Sequence, residues 1–263
     1  MSYDREVPME NIFIAVATHK PYWMPQDPLY TPVQAGAFGK ESLGWQRDDA
    51  GEHISQKNET YCELTALYWM WKNVDADIYG LAHYRRYLAV GRPLLDKHCQ
   101  PLTEKQILHR MREVDILLPK KRHYWIETNE SQYVHAHHAA DLAATKAALA
   151  EVCPEALPAW ACVMKRRSGH RFNLFLMRKA RFHEYCAWLF PILFQVEAGL
   201  DIAAYSPRDR RVFGYLSERL LDVWLLHRGY AYRETRTVHL ETQRWGHKIV
   251  SFVKRKFARR SDI

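Results

Sequence analysis

Basic and polar side chains follow four short apolar segments of the chain, where predicted strands end. These predicted strand ends are residues 18–20, 83–86, 119–122 and 177–179. Ligands of layered α/β folds bind beyond the carboxyl ends of the strands, and four cationic ends at one crevice would attract a polyanion such as a nucleotide diphosphate. We therefore expect an anion site, to which the first two ends contribute Thr18, His19, Lys20, His83, Tyr84, Arg85 and Arg86.

The adjacent arginines are the strongest candidates to hold phosphate, because a guanidinium group offers a forked pair of donors. Neighbouring side chains of an extended segment point in opposite directions, so only one of Arg85 and Arg86 is expected to face the site. The alternative for both is an ion pair on the surface. A polar turn is the alternative for residues 18–20, and a structural hydrogen bond or a metal contact is the alternative for His83.

Two further groups of polar residues are candidates. Backbone amides at the start of a helix can bind phosphate, and Ser55, Lys57 and Asn58 precede the first long predicted helix. His135 and His138 are expected to contact sugar or phosphate, with a polar helix face as the alternative. We do not expect zinc there, because a histidine pair two residues apart on a helix diverges and the HEXXH motif is absent.

The apolar pattern predicts the elements that position these residues. Short apolar runs predict strands at 11–17, 77–88, 115–119 and 173–177. Helical spacing predicts helices near 61–72, 103–113, 132–152, 180–196 and 210–227. Residues 21–53 lack periodicity and predict a long loop, which in a compact domain is usually functional. The alternation of strands and helices predicts a layered α/β fold.

The composition limits the kinds of protein that this sequence can encode. The 263 residues suit one α/β domain or one domain with a small appendage, and the net charge of +8 favours an anionic partner. The five cysteines lack a CxxC pair, which argues against a zinc or disulfide framework and for reduced, cytosolic thiols. The polar start and the absence of a long apolar run predict neither a signal peptide nor a membrane span, hence a soluble or peripheral protein.

Several long segments resemble one bacterial family. They are FIAVATHKPYWMP near the start, SQKNETYCELTALYWMWKNVDADIYGLAHYRRY over 55–87, HRFNLFLMRKARFHEYCAWLFPILFQVE and RVFGYLSERLLDVWL. They are similar to glycosyltransferases of capsule, exopolysaccharide and O-antigen synthesis catalogued as domain of unknown function 4422. The resemblance covers about 11–237.

This resemblance implies a GT-A-like fold, with a mixed, mainly parallel sheet flanked by helices. It implies transfer of a sugar from a nucleotide-sugar donor to a lipid-linked glycan. Uridine is favoured as the donor base, and galactose or galactofuranose is a candidate sugar. In such a site Asn173 would contact acceptor or sugar, and a carboxylate would serve as base if the reaction inverts. Glu218 is the first choice and Asp209 the second. For Glu218 the alternative is an ion pair with Arg219 or with a residue one turn away.

Many GT-A enzymes bind a divalent metal through a DxD motif that follows a strand. Here Asp75-Ala76-Asp77 precedes the predicted strand, so we expect it at the opposite rim, in a solvated turn. The cations of 83–86 would then replace part of the metal's role. No metal ligand is assigned, and a requirement for Mn²⁺ or Mg²⁺ is the less favoured alternative.

The tail at 244–260 predicts a basic amphipathic helix on an anionic membrane, with a solvated helix packed on the domain as the alternative. We accordingly divide the chain into a transferase domain at 1–240 and a tail at 241–263, and expect a cytoplasmic protein peripheral to the inner membrane.

Two other function classes compete with a transferase. A non-catalytic polysaccharide-binding protein would keep the aromatic residues but need no diphosphate site. A nucleic-acid-binding protein would account for the charge, but its usual motifs are absent, and nucleic acid is not an expected partner.

Overall fold

The computed structural model of the protein describes residues 10–90 and 97–241. The strands are β1 (Ile12–Thr18), β2 (Tyr30–Gln34), β3 (Gln46–Arg47), β4 (Ile78–His83), β5 (Arg86–Ala89), β6 (Ile116–Pro119), β7 (Arg122–His123), β8 (Ser168–Gly169), β9 (Phe175–Arg178) and β10 (Arg233–His239). The helices are α1 (Asn58–Tyr61), α2 (Leu64–Asn73), α3 (Glu104–Arg110), α4 (Asn129–Ala136), α5 (Ala139–Val152), α6 (Leu157–Lys165), α7 (Lys179–Gly199) and α8 (Val212–Arg228).

Strand β1 lies at the centre of the parallel half of the main sheet. Its sequence, IFIAVAT, is apolar along its length, as expected for a strand buried on both faces. It pairs in parallel with β2 on one side and β4 on the other, and β3 extends this half beyond β2. The carboxyl ends of β1 and β4 therefore lie side by side.

The other half of the sheet is mostly antiparallel. Strand β9 runs antiparallel to both β4 and β6, β6 pairs in parallel with β10, and β10 runs antiparallel to β5. A single pair, His83 with Arg86, joins β4 to β5. Within 10–90 and 97–241 the main sheet has as many antiparallel as parallel pairings. The fold is thus mixed α/β as expected, but parallel pairing does not dominate.

Helices and loops cover both faces of the sheet. Ala15, Ala17 and Tyr79 share one apolar cluster with α2, α7 and α8, where the ring of Tyr79 stacks on Phe182 with centroids 4.1 Å apart. The alternating residues of the same strands, such as Ile14, lie in a second cluster with α3 and the segment before β2. Burial on both faces fixes the register of β1 and β4.

Several elements differ from the sequence expectation. The segment 21–53 contains β2 and β3, which the pattern missed because they are short and β2 carries a proline. The helix expected at 132–152 is two helices, since His137 is extended between α4 and α5. Strand β10 is polar in sequence, RETRTVH, and gives no apolar signal.

The tail helix expected at 244–260 and the boundary after 240 are not tested, since residues 242–263 lie outside the described ranges. No helix among the described residues has the length and apolar character needed to cross a bilayer.

The close packing of β4 between β1 and β9 can be tested at Gly80. A Cβ atom there would lie 2.6 Å from Leu176 Cδ2 and 2.9 Å from Ile14 Cγ1. We expect Gly80→Ala to lower the free energy of unfolding in urea by about 1–3 kcal/mol. Gly199→Ala is the control, because a Cβ atom at Gly199 meets nothing within 4 Å. Equal stability of the two variants would contradict this packing.

Candidate functional site

The ends of β1 and β4 bring the first two predicted strand ends together. Ala17 is level with His83 in the sheet, and the backbone amide of Tyr84 donates to Ala17 O at 3.2 Å. The turn after β1 is held by Thr18, whose buried hydroxyl donates to Lys20 O at 2.7 Å. His19, Lys20 and the turn from His83 to Arg86 thus form one cluster, the cationic cluster of the site.

The other two predicted strand ends, at 119–122 and 177–179, lie in different parts of the structure. Strand β6 points the same way as β4, so residues 119–122 reach the same edge of the sheet, where Lys120 lines a separate basic cavity of about 440 Å³ with Arg110, Arg233 and Arg236. Strand β9 is antiparallel to β4 and pairs Arg178 with Ile78. Residues 177–179 therefore lie at the opposite edge, and the expectation that all four ends meet was wrong for them.

The ring of Tyr84 supports the cationic cluster from beneath. It is 2% exposed and contacts the rings of His83 and His19 at centroid distances of 4.3 and 5.4 Å. Lys20 Nζ and Arg85 Cζ lie 5.4 and 5.0 Å from its centroid. Tyr22 packs on the same ring at 5.0 Å. An aromatic face lowers the cost of grouping these cations.

Arg86 is a half-buried cation whose partner is a ring. Its Cζ lies 4.4 Å from the centroid of Phe172, and no carboxylate of the described residues lies within ion-pair distance. Burial lowers its pKa, and the adjacent Arg85 adds to this effect. Arg85 points elsewhere and pairs with Glu241 at 3.0 Å. The two arginines diverge as the extended backbone predicts, and Arg86 is the one without a carboxylate partner.

His83 is neutral in this environment. Burial, followed by the charges of Arg86 and Arg85, lowers its pKa to about 2. Burial and the charge of Lys20 also lower the pKa of His19. Both imidazoles can therefore act as hydrogen-bonding groups at neutral pH without adding further charge.

Two carboxylates and a backbone turn lie beside Arg86. The turn is Phe172-Asn173, and both residues have positive φ, 82° and 49°. Such conformations are strained in residues other than glycine and tend to occur at functional sites. Cys62, with φ 53°, is a third example and precedes Glu63. Glu63 Oε1 accepts a hydrogen bond from Asn173 Nδ2 at 2.9 Å.

Glu218 anchors this turn. Its Oε1 accepts from the backbone amide of Phe172 at 2.9 Å, and its Oε2 lies 3.5 Å from Arg219 and 3.9 Å from Arg171. Both arginines are buried, and the pKa of Arg219 falls to about 10 through burial and the charge of Arg171. Both oxygens of Glu218 are thus engaged, which is the ion-pair alternative considered for it.

The remaining candidates lie in other hydrogen-bond groups. Asp209 contacts His137 at 3.1 Å and His138 at 3.7 Å, while His135 pairs with Glu127 at 2.6 Å. No contact between described residues joins Asp209 to Glu63 or Glu218. Ser55 donates to Asp48 at 2.5 Å, Lys57 pairs with Glu197 at 2.7 Å, and Asn58 donates to Cys62 O at 2.7 Å. The roles expected for these residues stay predictions: base for Asp209, acceptor or sugar contact for His135 and His138, and donor contact for Ser55, Lys57 and Asn58.

Glu63 and Arg211 were missed by the sequence reasoning. Arg211 Nε donates to Cys62 Sγ at 3.1 Å, and its charge acts on Glu63. Both residues lie inside the segments that carry the family resemblance. Glu63 stands at the start of a buried helix, and Arg211 opens the segment that includes Glu218. Their places at helix starts are a weak signal, because the contacts that position them join distant parts of the sequence.

The expected position of the DxD aspartates is correct. Asp77 accepts from the Asn11 amide at 2.8 Å and Asp75 pairs with Lys179 at 2.5 Å, both before β4 begins. Across 10–90 and 97–241, the group of three side chains close enough to hold a metal is Cys153 and Glu155, between α5 and α6, together with His227 of α8. Neither set belongs to the cationic cluster.

The anchoring role of Glu218 is testable by stability. Glu218→Gln removes the carboxylate beside buried Arg219 and one of the two beside Arg171, which keeps Asp222 at 3.7 Å, so we expect the free energy of unfolding to fall by on the order of 3 kcal/mol. Glu59→Gln is the control, since the Glu59 side chain is 66% exposed. Urea unfolding measures both. If Glu218→Gln kept its stability but lost turnover, the result would instead support Glu218 as the catalytic base.

Comparisons with known proteins identify the family. The family model "Domain of unknown function (DUF4422)" matches residues 13–229. The structure is similar to the apo structure of WbbM, a bifunctional glycosyltransferase, with a TM-score of 0.81 and 29% sequence identity, over 88% of this chain and 46% of that chain. The chain thus spans less than half the length of WbbM. None of the curated proteins matches it. Because the family model covers most of its length, the protein belongs to the DUF4422 family.

Proposed function

We propose that this protein is a glycosyltransferase that transfers a sugar from a nucleotide-diphosphate sugar to a glycan. The observation that carries the proposal is the cationic cluster at the ends of β1 and β4. Lys20 and Arg86 have no carboxylate partner there among the described residues. The similarity to WbbM supports the same reaction class.

Cations that lack a carboxylate partner are suited to bind the diphosphate that leaves during the reaction. Negative charge develops on the diphosphate as the sugar leaves, and donors that are already oriented stabilise this charge most. Arg86 is held over Phe172 and half-buried, so its attraction for phosphate is little screened. We further propose that these cations supply the charge that a divalent metal supplies elsewhere, so that transfer proceeds without added metal.

The finer assignments are also proposals. The exposed ring of His19 and the half-buried ring of Tyr22 beside the cluster support stacking of a flat base, and we propose uridine. Galactose or galactofuranose as the sugar rests on the family resemblance. The basic sequence at 244–260 supports a lipid-linked surface polysaccharide as acceptor, at the inner face of the bacterial inner membrane.

Binding of uridine diphosphate tests the cluster. We expect the wild-type protein to bind it in the presence of EDTA, measured by isothermal titration calorimetry. Arg86→Ala should weaken binding about 10- to 100-fold, because a hydrogen bond to a charged group contributes about 1.5–3 kcal/mol. Arg86→Lys should lie between, since it keeps the charge and loses the fork.

Arg178→Ala is the matched control, because Arg178 lies at the opposite edge of the sheet and pairs with Glu10 at 2.9 Å. If Arg86→Ala and Arg178→Ala bound uridine diphosphate with equal affinity, Arg86 would not be part of the binding site. Binding only with manganese would reject independence from metal. Glycan binding without release of nucleotide from any sugar donor would favour the polysaccharide-binding alternative.

A further inference from the structure

Glu63 is placed as a fixed carboxylate with one unoccupied oxygen. Oε1 accepts from Asn173 Nδ2, whereas no side chain of the described residues donates to Oε2. No cation of these residues lies within 4.0 Å of it. The residue is half-buried, so Oε2 is oriented but not enclosed.

Asn173 sets this orientation through α8. Its Nδ2 also donates to Gly214 O at 3.0 Å, and its Oδ1 accepts from Ser217 Oγ at 2.9 Å. The amide cannot rotate without losing these bonds. Cys62 adds a second constraint, because its backbone, at φ 53° and ψ −129°, fixes how the chain enters α2.

Glu63 lies beside the cationic cluster. Arg86 packs on Phe172, the next residue is Asn173, and Asn173 holds Glu63. Glu63 is also one of the charges that favour the cationic form of Arg86. The carboxylate is thus near the residue proposed to hold the diphosphate.

We infer that Glu63 is the general base of the transfer reaction, an assignment that rests on the proposed function. The acceptor hydroxyl oxygen forms the new bond to the anomeric carbon while its proton moves to Glu63 Oε2. The bond between that carbon and the diphosphate oxygen breaks, and its electron pair leaves with the diphosphate beside Arg86. Glu218 and Asp209 are less suited to this role, because their carboxylates already bind Arg219, Arg171, His137 or Ser206.

The surroundings of Glu63 raise the pKa of its carboxyl above the ordinary value. Burial raises the pKa of its carboxyl, and the charge of Glu218 adds to this, whereas hydrogen bonds from Asn173 and from its own backbone amide, and the charge of Arg211, oppose it. The groups that face it are Cys62, Arg86, Arg211 and Glu218. A base of raised pKa accepts a proton more readily in the transition state.

Donor hydrolysis tests the assignment without a known acceptor, because water can replace the acceptor hydroxyl. We would measure release of uridine diphosphate from UDP-galactose and UDP-galactofuranose by wild type, Glu63→Gln, Glu63→Asp and the control Glu59→Gln. Glu63→Gln should keep the affinity for uridine diphosphate and lose about 10²- to 10⁴-fold in turnover. Glu63→Asp should recover part of this loss, and the wild-type rate should fall as pH drops through the raised pKa of Glu63.

Turnover of Glu63→Gln close to that of wild type would overturn the inference and leave the proposed function intact. Binding of uridine diphosphate by wild type with no turnover of any sugar donor would overturn both. Loss of affinity together with turnover would make Glu63 a part of donor binding instead of the base.

The pH dependence of the melting temperature is a second test, and it distinguishes a base from a residue that only stabilises the fold. Because the pKa of Glu63 is raised in the folded protein, the folded state holds the proton more tightly than the unfolded state. Stability is then fully present below the ordinary pKa and is lost as pH rises through the raised value. Glu63→Gln should therefore melt at the same temperature as wild type at pH 4 and higher at pH 7.5. A lower melting temperature at pH 7.5 would identify Glu63 as a structural residue.

Discussion

The side-chain amide of Asn173 joins three segments that are distant in the sequence, and the arrangement of charges at the site depends on it. Its NH₂ group donates to Glu63 before α2 and to Gly214 in α8, while its oxygen accepts from Ser217. Only an amide side chain offers two donors and an acceptor in one plane. An aspartate of the same shape would repel Glu63. Phe172, the adjacent residue, carries Arg86 on its ring, so the same turn also sets the position of this cation.

Placing like charges together is costly for the folded state. Lys20 and Arg85 lie over the ring of Tyr84, the charge of Arg85 acts on Arg86, and Glu63 lies near Glu218. A protein selected for stability alone would pair or remove such groups. An anion that enters the cluster relieves the repulsion, so ligand binding and folding stability are linked at this site. The neutral state of His83 limits the repulsion in the free protein.

Much of the scaffold could be predicted from the sequence, whereas the site was only partly predicted. The apolar run of β1 and the basic turn after β4 gave the cationic cluster, because strands buried on both faces leave a clear pattern. The antiparallel direction of β9 could not be predicted from the sequence, because a short apolar strand has the same residue pattern in a parallel or an antiparallel pairing. This is why Arg178 and Lys179 were assigned to the wrong edge. Glu63 was missed because its role comes from Asn173, 110 residues away, and no local pattern records that contact.

Strand β10 has a topological consequence for the arginine turn. Its last residues pair with the arginine turn: His239 is level with Arg86, Leu240 donates to Arg85 O, and Glu241 forms an ion pair with Arg85. The arginine turn is therefore held from two sides, by β4 and by a strand that lies far along the chain. A local opening of β10 would loosen this turn without unfolding the rest of the sheet.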